Sequence, residues 1–394
     1  MNNIKITKEE FQKRIDNLKQ TMCNDSIDAI FVYGDEYRKE NLRYVSNFWP
    51  IFEQGALVCS AYGQPILLCA PEGEQVAREM SAWEDVRLVP DFLCVTVPDV
   101  IEFPQATFTS FRDIADELNR VKPLEKLAVV GIDAMSVDLL SAITSAFGCE
   151  VVDYNPVLTQ MRIIKSEDEV ACLRKAAEIA EIGFKAMMES DLIGKTERWA
   201  AGIAEGAARQ AGAEAVIFTV FGSGERSAKI IGRAENKIID DGDMIMCAFA
   251  VQYEGYVATC EIPFAIGNYS DETKNVIDTL IRAGAAGLPF LRAGLPMKSF
   301  VSAIRNYFRN AGVSKYDLYP PLHGIGCAEA ESPYPNEETD AVFEVGMTVS
   351  TDISLFGLSG GSNRVEEAFV ITEEGAESLS PFTRSYFDKW LNQS

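Results

Sequence analysis

Apolar positions recur at helical spacing over residues 8–23, where Phe11, Ile15, Leu18 and Met22 share one face. Short apolar runs follow at 29–33, 55–59, 65–69, 86–89 and 127–132, and each predicts a strand. Between them lie helical patterns near 73–81, 110–120 and 135–147, with Ser110 a candidate N-cap. Strand and helix alternate, so the first third predicts an α/β domain. The pattern changes around 150–165. There Ser166, three residues before Glu169, gives a capping-box signature that opens a helix running to about Ser190. Helical stretches at about 167–190, 196–211, 271–292 and 297–312 are separated by glycine-rich or strand-like segments at 216–266 and 344–372. The order of two helices, strands, two helices, strands suggests a duplicated α+β architecture. Two domains are therefore expected, residues 1–157 and 158–394.

Composition narrows the partners. A chain of 394 residues with 47% hydrophobic content buries a large core, which excludes disorder and a disulfide miniprotein. Lys and Arg number 36 against 59 Asp and Glu, a net charge of −23 that repels phosphate backbones and anionic lipid. No nucleic-acid or membrane partner is expected. Nine cysteines, at 23, 59, 69, 94, 149, 172, 247, 260 and 327, form no CxxC pair and read as reduced thiols. The N-terminus is charged throughout, and no run of about 18 apolar residues occurs, so a cytoplasmic location is expected. One histidine in the whole chain excludes His-rich zinc sites and any two-histidine mechanism within a single copy.

Candidate chemistry sits in three places. Residues 242–267 alternate like a β-hairpin with its turn near Tyr253, Glu254 and Gly255, and period 2 puts Val257, Thr259 and Glu261 on one face. A carboxylate in such a strand is either a sheet-edge solubility device or a site residue, and alternation does not decide between them. In residues 320–334, His323 is followed by Gly324 and Gly326, which allow backbone to approach a ligand closely. A lone histidine also reads as a structural hydrogen-bonding residue. Two later strands supply Asp352 and the pair Glu366–Glu367, each of which also reads as facing solvent.

Taken in order, RIIKSEDE with its long helix, SGERSA, GD…YEGY…FAIG, LHGIG, EVGM…D and NRVEEAFVITEEG resemble the pita-bread fold of methionine aminopeptidase, aminopeptidase P, prolidase and creatinase. Residues 1–157, with NLRYVSNF at 41–48, resemble the creatinase/prolidase N-terminal domain. The resemblance implies an α+β chain, with an N-terminal creatinase/prolidase-type α/β domain followed by a C-terminal pita-bread domain. It also implies a homodimer and five metal ligands, Asp, Asp, His, Glu and Glu. Here those positions hold Ala248, Thr259, His323, Asp352 and Glu366. Ala248 offers no donor and a neutral Thr hydroxyl is a weak one, so a dinuclear centre is not expected. The primary expectation is no cofactor, and the variant is a single divalent cation on His323, Asp352 and Glu366. The family's second histidine position holds Ala330.

Creatinase, which runs without metal, has likewise lost both Asp ligands and carries a Glu two residues past the second; Glu261 stands at that place here. Its catalytic histidine position is Ile231, and Glu53 and Gln54 occur where its substrate-binding arginine would be. These matches imply a creatinase-like hydrolase that cleaves a C–N bond of a small cationic compound of guanidino, amidine or ectoine-like type. Glu261 is the expected base or nucleophile, His323 or Glu366 the proton donor, and Asp352 a further catalytic carboxylate. Glu53, Phe52, Trp49, Glu331 and Thr259 are the expected substrate contacts, the aromatics offering cation–π faces or else serving as core. A thiol nucleophile among Cys247, Cys260 and Cys327 is a minor variant, since Cys260 alternates away from Glu261. The alternatives are an Xaa-Pro aminopeptidase or dipeptidase with an altered metal site, and a catalytically silent pita-bread binding protein.

Overall fold

The first strand, β1 (Ala29–Asp35), is buried along almost its whole length and becomes the middle of a sheet. On one side it pairs antiparallel with β2 (Gln54–Ser60), which continues through β3 (Ile66–Cys69) to β4 (Val86–Leu88). On the other it pairs parallel with β5 (Lys126–Val130), which pairs parallel with β6 (Glu150–Asp153). The helices Phe111–Val121 and Val137–Phe147 bring aromatic side chains onto this sheet. Phe31 meets Phe111 and Phe147 edge-on, with ring centroids 5.8 and 6.5 Å apart. Ser110 caps its helix in a reciprocal box with Asp113. The computed structural model describes residues 4–93 and 107–393, so Cys94 lies outside the described residues. No helix among the described residues is long and apolar enough to cross a membrane.

The chain divides into two compact units, Ile6–Met161 and the part from Arg162 onward, which also holds the residues before Ile6. The second unit begins with helix Glu167–Met188, whose capping box joins Ser166 and Glu169 as the sequence indicates. Helix Glu197–Gln210 packs beside it, and both lie against a sheet of β7 (Ala215–Ser223), β8 (Met244–Tyr253), β9 (Tyr256–Cys260) and β10 (Phe264–Ala265). The expected hairpin is β8–β9. Its two turn residues, Glu254 at φ 48° and Gly255 at φ 85°, both adopt the left-handed conformation that a two-residue hairpin demands.

A second helix pair and sheet follow. Helix Asp271–Gly287 stops two residues before Pro289, short of the expected residue 292, because proline cannot donate into the helical ladder. Helix Met297–Asn310 packs on it. The second sheet orders β11 (Leu322–Gly324), β12 (Thr348–Thr351), β15 (Ala368–Ile371) and β16 (Ala376–Ser378). Strands β13 (Ile353–Leu358) and β14 (Gly361–Val365) form a separate ribbon against the helix Asp271–Gly287. One backbone bridge matters most for chemistry. Glu261, just past β9, pairs with Glu366, just past β14, and so joins the carboxylates of the two halves.

Candidate active site

The bridge between Glu261 and Glu366 brings β14 alongside the end of β9, and period 2 along β14 points Arg364 to the same side as Glu366. Arg364 is the centre of the cluster. Its Nε donates to Glu261 Oε2 at 2.9 Å, its Nη1 lies 3.9 Å from Asp352 Oδ1, and Nε lies 3.9 Å from Glu366 Oε1. The rings of Tyr319 and Phe356 lie 5.9 Å from its guanidinium carbon. Glu261, Asp352 and Glu366 are buried, and Glu261 Oε1, Asp352 Oδ1 and Glu366 Oε2 have no hydrogen-bond partner.

Three carboxylates around one guanidinium leave negative charge in excess, and burial favours the protonated forms. Burial pushes the Glu261 carboxyl up to about 7 against the pull of Arg364. Glu366 is pushed well above the ordinary carboxylate range by burial and then by the charge of Asp352, and Asp352 itself is raised by burial. Arg364 stays charged, since its carboxylates outweigh the effect of burial.

On the neighbouring wall His323 occupies β11. Its Nδ1 lies 2.9 Å from the Gly324 carbonyl, which only accepts, so Nδ1 carries a proton and Nε2 is turned to the carboxylates. Nε2 lies 3.8 Å from Glu329 Oε1, and the Thr259 hydroxyl donates to that same oxygen at 3.2 Å. Donor atoms of His323, Glu329 and Glu366 lie within 4.8 Å of one another. A cavity of about 890 Å³ runs past this cluster, with His323, Glu329, Asp352, Arg364 and Glu366 on its wall.

A two-cation centre does not fit these residues. Ala248 is buried within β8 and brings no donor, and Thr259 is spent on Glu329. A single divalent cation does fit His323, Glu329 and Glu366, a nitrogen and two carboxylates with an unpartnered oxygen on Glu366. The expected set of His323, Asp352 and Glu366 differs in one member from the group whose donor atoms converge here, His323, Glu329 and Glu366.

Several expected contacts have partners of their own. Glu261 has no exposed surface and is not among the residues lining the cavity; it anchors Arg364, which is. Glu331 is buried in a triad with Arg162 and Lys165, the latter 2.6 Å away, so its carboxylate is already paired. Gly324 and Gly326 serve that loop, not a ligand: a Cβ on Gly324 would come within 2.1 Å of the Ser332 carbonyl, and one on Gly326 within 2.4 Å of Glu331. In the first unit Glu53 is buried and accepts the backbone N–H of Glu72 at 3.1 Å. The Trp49 ring is covered by Lys39 at 4.0 Å, while Phe52 is exposed on a left-handed residue at φ 63°. Cys247 and Cys260 are fully buried, and burial pushes both thiols well up, away from nucleophilic use.

Sequence reasoning passed over Arg364 and gave Glu329 no role. For Arg364 a signal existed: it stands two residues before Glu366 in a strand, hence on the same face. Glu329 carried none, because its position depends on the return of the 325–333 loop onto β11.

A pair of four-stranded sheets with helix pairs, closing on a cluster of carboxylates and one histidine, defines a pita-bread hydrolase. The chain belongs to metallopeptidase family M24, whose family model matches residues 171–373, and residues 14–164 match the creatinase/prolidase N-terminal domain. It is 25% identical over 376 residues to an Xaa-Pro dipeptidase of Pyrococcus furiosus, covering 95% of this chain and 99% of that one. The X-Pro aminopeptidase structure from Thermotoga maritima superposes with a TM-score of 0.80 at 26% identity, covering 93% of this chain and 96% of that one. An Xaa-Pro dipeptidase structure from Bacillus anthracis, at 24% identity and a TM-score of 0.79 over 94% and 97% of the two chains, shares the fold. This chain is therefore a hydrolase of C–N bonds.

The expected creatinase-like reaction on a cationic guanidino compound does not stand. The similar proteins are named for Xaa-Pro peptides, and the structure supplies a physical reason: the carboxylates meant to hold a guanidinium substrate already hold the guanidinium of Arg364. The expectation of a site without any cofactor likewise finds no support in a metallopeptidase family.

Proposed function

We propose that this chain hydrolyses short peptides of the Xaa-Pro kind at a site built for one divalent cation. The observation that carries the reading is the convergence of His323, Glu329 and Glu366 on the cavity wall, in a chain similar nearly end to end to an Xaa-Pro dipeptidase. When bound, the cation polarises the scissile carbonyl and makes a neighbouring water more acidic.

The chain's own residues do the rest. His323 is locked by Gly324 with Nε2 turned to the carboxylates. Thr259 steers Glu329. Asp352 Oδ1, unpartnered beside the cavity, takes the proton of the attacking water and returns it to the departing amine. Glu261 positions Arg364, whose charge on the cavity wall is available to negative charge that builds on a substrate carbonyl oxygen. Glu205 and Glu329 give the cavity wall a negative field that suits the ammonium end of a peptide. The reading takes the chain to work as a cytoplasmic homodimer, the dimer being what the family resemblance implies, and sedimentation at micromolar concentration tests the dimer.

The test is a panel of Xaa-Pro and Xaa-Ala dipeptides and Xaa-Pro tripeptides offered to chelator-treated protein with and without Mn²⁺, Co²⁺ or Zn²⁺. Cleavage that needs the cation and favours proline is the expected result. A folded protein that cleaves none of them with any cation overturns the reading.

A further inference from the structure

We infer that Arg233 is a specificity-determining residue of this site, an anchor for a carboxylate of the substrate. The inference rests on the peptidase reading for the reaction and adds the group that the cavity selects.

Among the described residues, the long basic side chains on the wall of the cavity of about 890 Å³ are Arg233 and Arg364. Arg364 is answered by Glu261, Asp352 and Glu366. Arg233 differs: it is exposed, and its guanidinium makes none of the described hydrogen bonds or ion pairs. The chain carries a net charge of −23, and Glu205, Glu329, Asp352 and Glu366 share the same wall. A guanidinium left without a carboxylate in such surroundings is open to one that a ligand brings, which it can bind through two parallel N–H donors.

The backbone beneath that side chain is fixed. Arg233 bridges to Val220 on the edge strand β7, and the neighbouring Gly232 carbonyl accepts the Phe221 N–H at 2.9 Å. The Arg233 carbonyl accepts Nη2 of Arg226 at 2.7 Å. Arg226 is held in turn by Glu197, which has no exposed surface and accepts its Nε at 3.0 and 3.1 Å. Glu197 also accepts the Glu235 N–H at 3.0 Å, so the segment is tied on both sides of Arg233. A charged group carried on a fixed backbone loses less freedom on binding than one on a loose loop. Ile217, Val220 and Ile231 add apolar surface to the wall, where an ion pair is screened less than in open water.

A peptide brings a carboxylate from its C-terminus or from an acidic side chain, and two substrate pairs separate these sources. They are Ala-Pro against Ala-Pro amide, and Glu-Pro against Gln-Pro, each offered with Mn²⁺ to the full-length protein, with circular dichroism to establish folding. Wild type is expected to prefer the carboxylate member of one pair by about 10–100-fold in kcat/KM, expressed in KM more than in kcat. Arg233→Gln should bring that ratio close to one, and Arg233→Lys, which keeps the charge without the fork, should retain part of it. Lys229→Gln removes a charge from the adjoining recess, off the cavity wall, and should leave the wild-type ratio. A structural role alone would lower both members of a pair together. Equal cleavage within both pairs by wild type, a preference that survives Arg233→Gln, or one that Lys229→Gln abolishes equally overturns the inference. If no peptide is cleaved with any cation, the peptidase reading falls instead, and isothermal titration of the same pairs decides the role of Arg233 by the ratio of their dissociation constants.

Discussion

Two clusters of buried charge lie in the unit from Arg162 onward, and their balance is opposite. Around Arg364, three carboxylates share one guanidinium and three of their oxygens are left unpartnered. Around Glu331, one carboxylate answers two cations, Arg162 and Lys165, and both of its oxygens are used. The carboxyls move apart accordingly. Glu366, Asp352 and Glu261 are raised by burial. Burial acts on Glu331 too, yet the charges of Arg162 and Lys165 outweigh it and hold the carboxyl below its ordinary value. A satisfied cluster fixes a loop, whereas an unsatisfied one facing a cavity keeps capacity for a ligand and for proton transfer.

The comparison breaks most visibly in activity. Glu366→Gln keeps the shape and removes the charge of a cation ligand, so kcat/KM for the peptide that the wild type cleaves is expected to fall by about 10²–10⁴-fold, the several kcal/mol that a bound cation supplies. Stability at pH 8 should not fall with it. The raised Glu366 carboxyl contributes stability at pH values below its ordinary range and loses it as pH climbs through the folded value, while Gln has no proton to lose. Urea unfolding checks this: a Glu366→Gln protein that unfolds at clearly lower urea would place Glu366 with the structural cluster.

Glu331→Gln should do the reverse. Removing the one carboxylate between two buried cations costs about 3–5 kcal/mol. With a folded value held below the ordinary 4.5, the stability that Glu331 contributes is present above that pH and disappears as pH falls through the folded value. The gap in unfolding free energy between wild type and variant should be full at pH 7 and narrow in acid. A gap independent of pH would mean that packing, not charge, holds the triad.

These contrasts also mark how far the residue order alone reaches. Helix boundaries were legible where caps announce them, as at Ser110 and Ser166, and so was the hairpin turn at Glu254–Gly255. The short edge strand β6 (EVVD) and the helix Glu40–Ser46 carry too little periodic pattern to be read, and the C-terminal helix Pro381–Gln393 went unread as well. At the site, period 2 correctly put Thr259 and Glu261 on one face, but not what that face meets. Glu261 meets Arg364 and Thr259 meets Glu329, contacts between residues 103 and 70 apart in the chain. Such pairs are set by how two sheets close on each other, and no local pattern encodes that. Glu331 shows the converse: expected from the sequence as a substrate contact, it lies in a loop that turns its carboxylate to Arg162 and Lys165.

Thr259 lies between the two extremes, a neutral residue that acts on the site only through Glu329. Thr259→Val keeps the volume and deletes the 3.2 Å hydrogen bond. Loss of an orienting partner of this kind typically weakens metal affinity by about 10–100-fold. Isothermal titration with Mn²⁺ should show that loss with one equivalent still bound at saturation. Unchanged affinity would remove Glu329 from the ligand set and return Asp352 to consideration.

The smallest effect is expected at Glu53, a third kind of buried carboxylate. Burial raises its carboxyl, as at the site, but its oxygens accept backbone N–H groups from its own fold, as at a structural position. Because backbone donors need an acceptor rather than a charge, Glu53→Gln keeps an oxygen to accept one of them. It should cost about 1 kcal/mol in urea unfolding and leave kcat/KM for the cleaved peptide unchanged. A fall in kcat/KM without a matching fall in stability would show that Glu53 reaches a substrate after all, and burial with unpartnered oxygens would then no longer separate the two kinds of cluster.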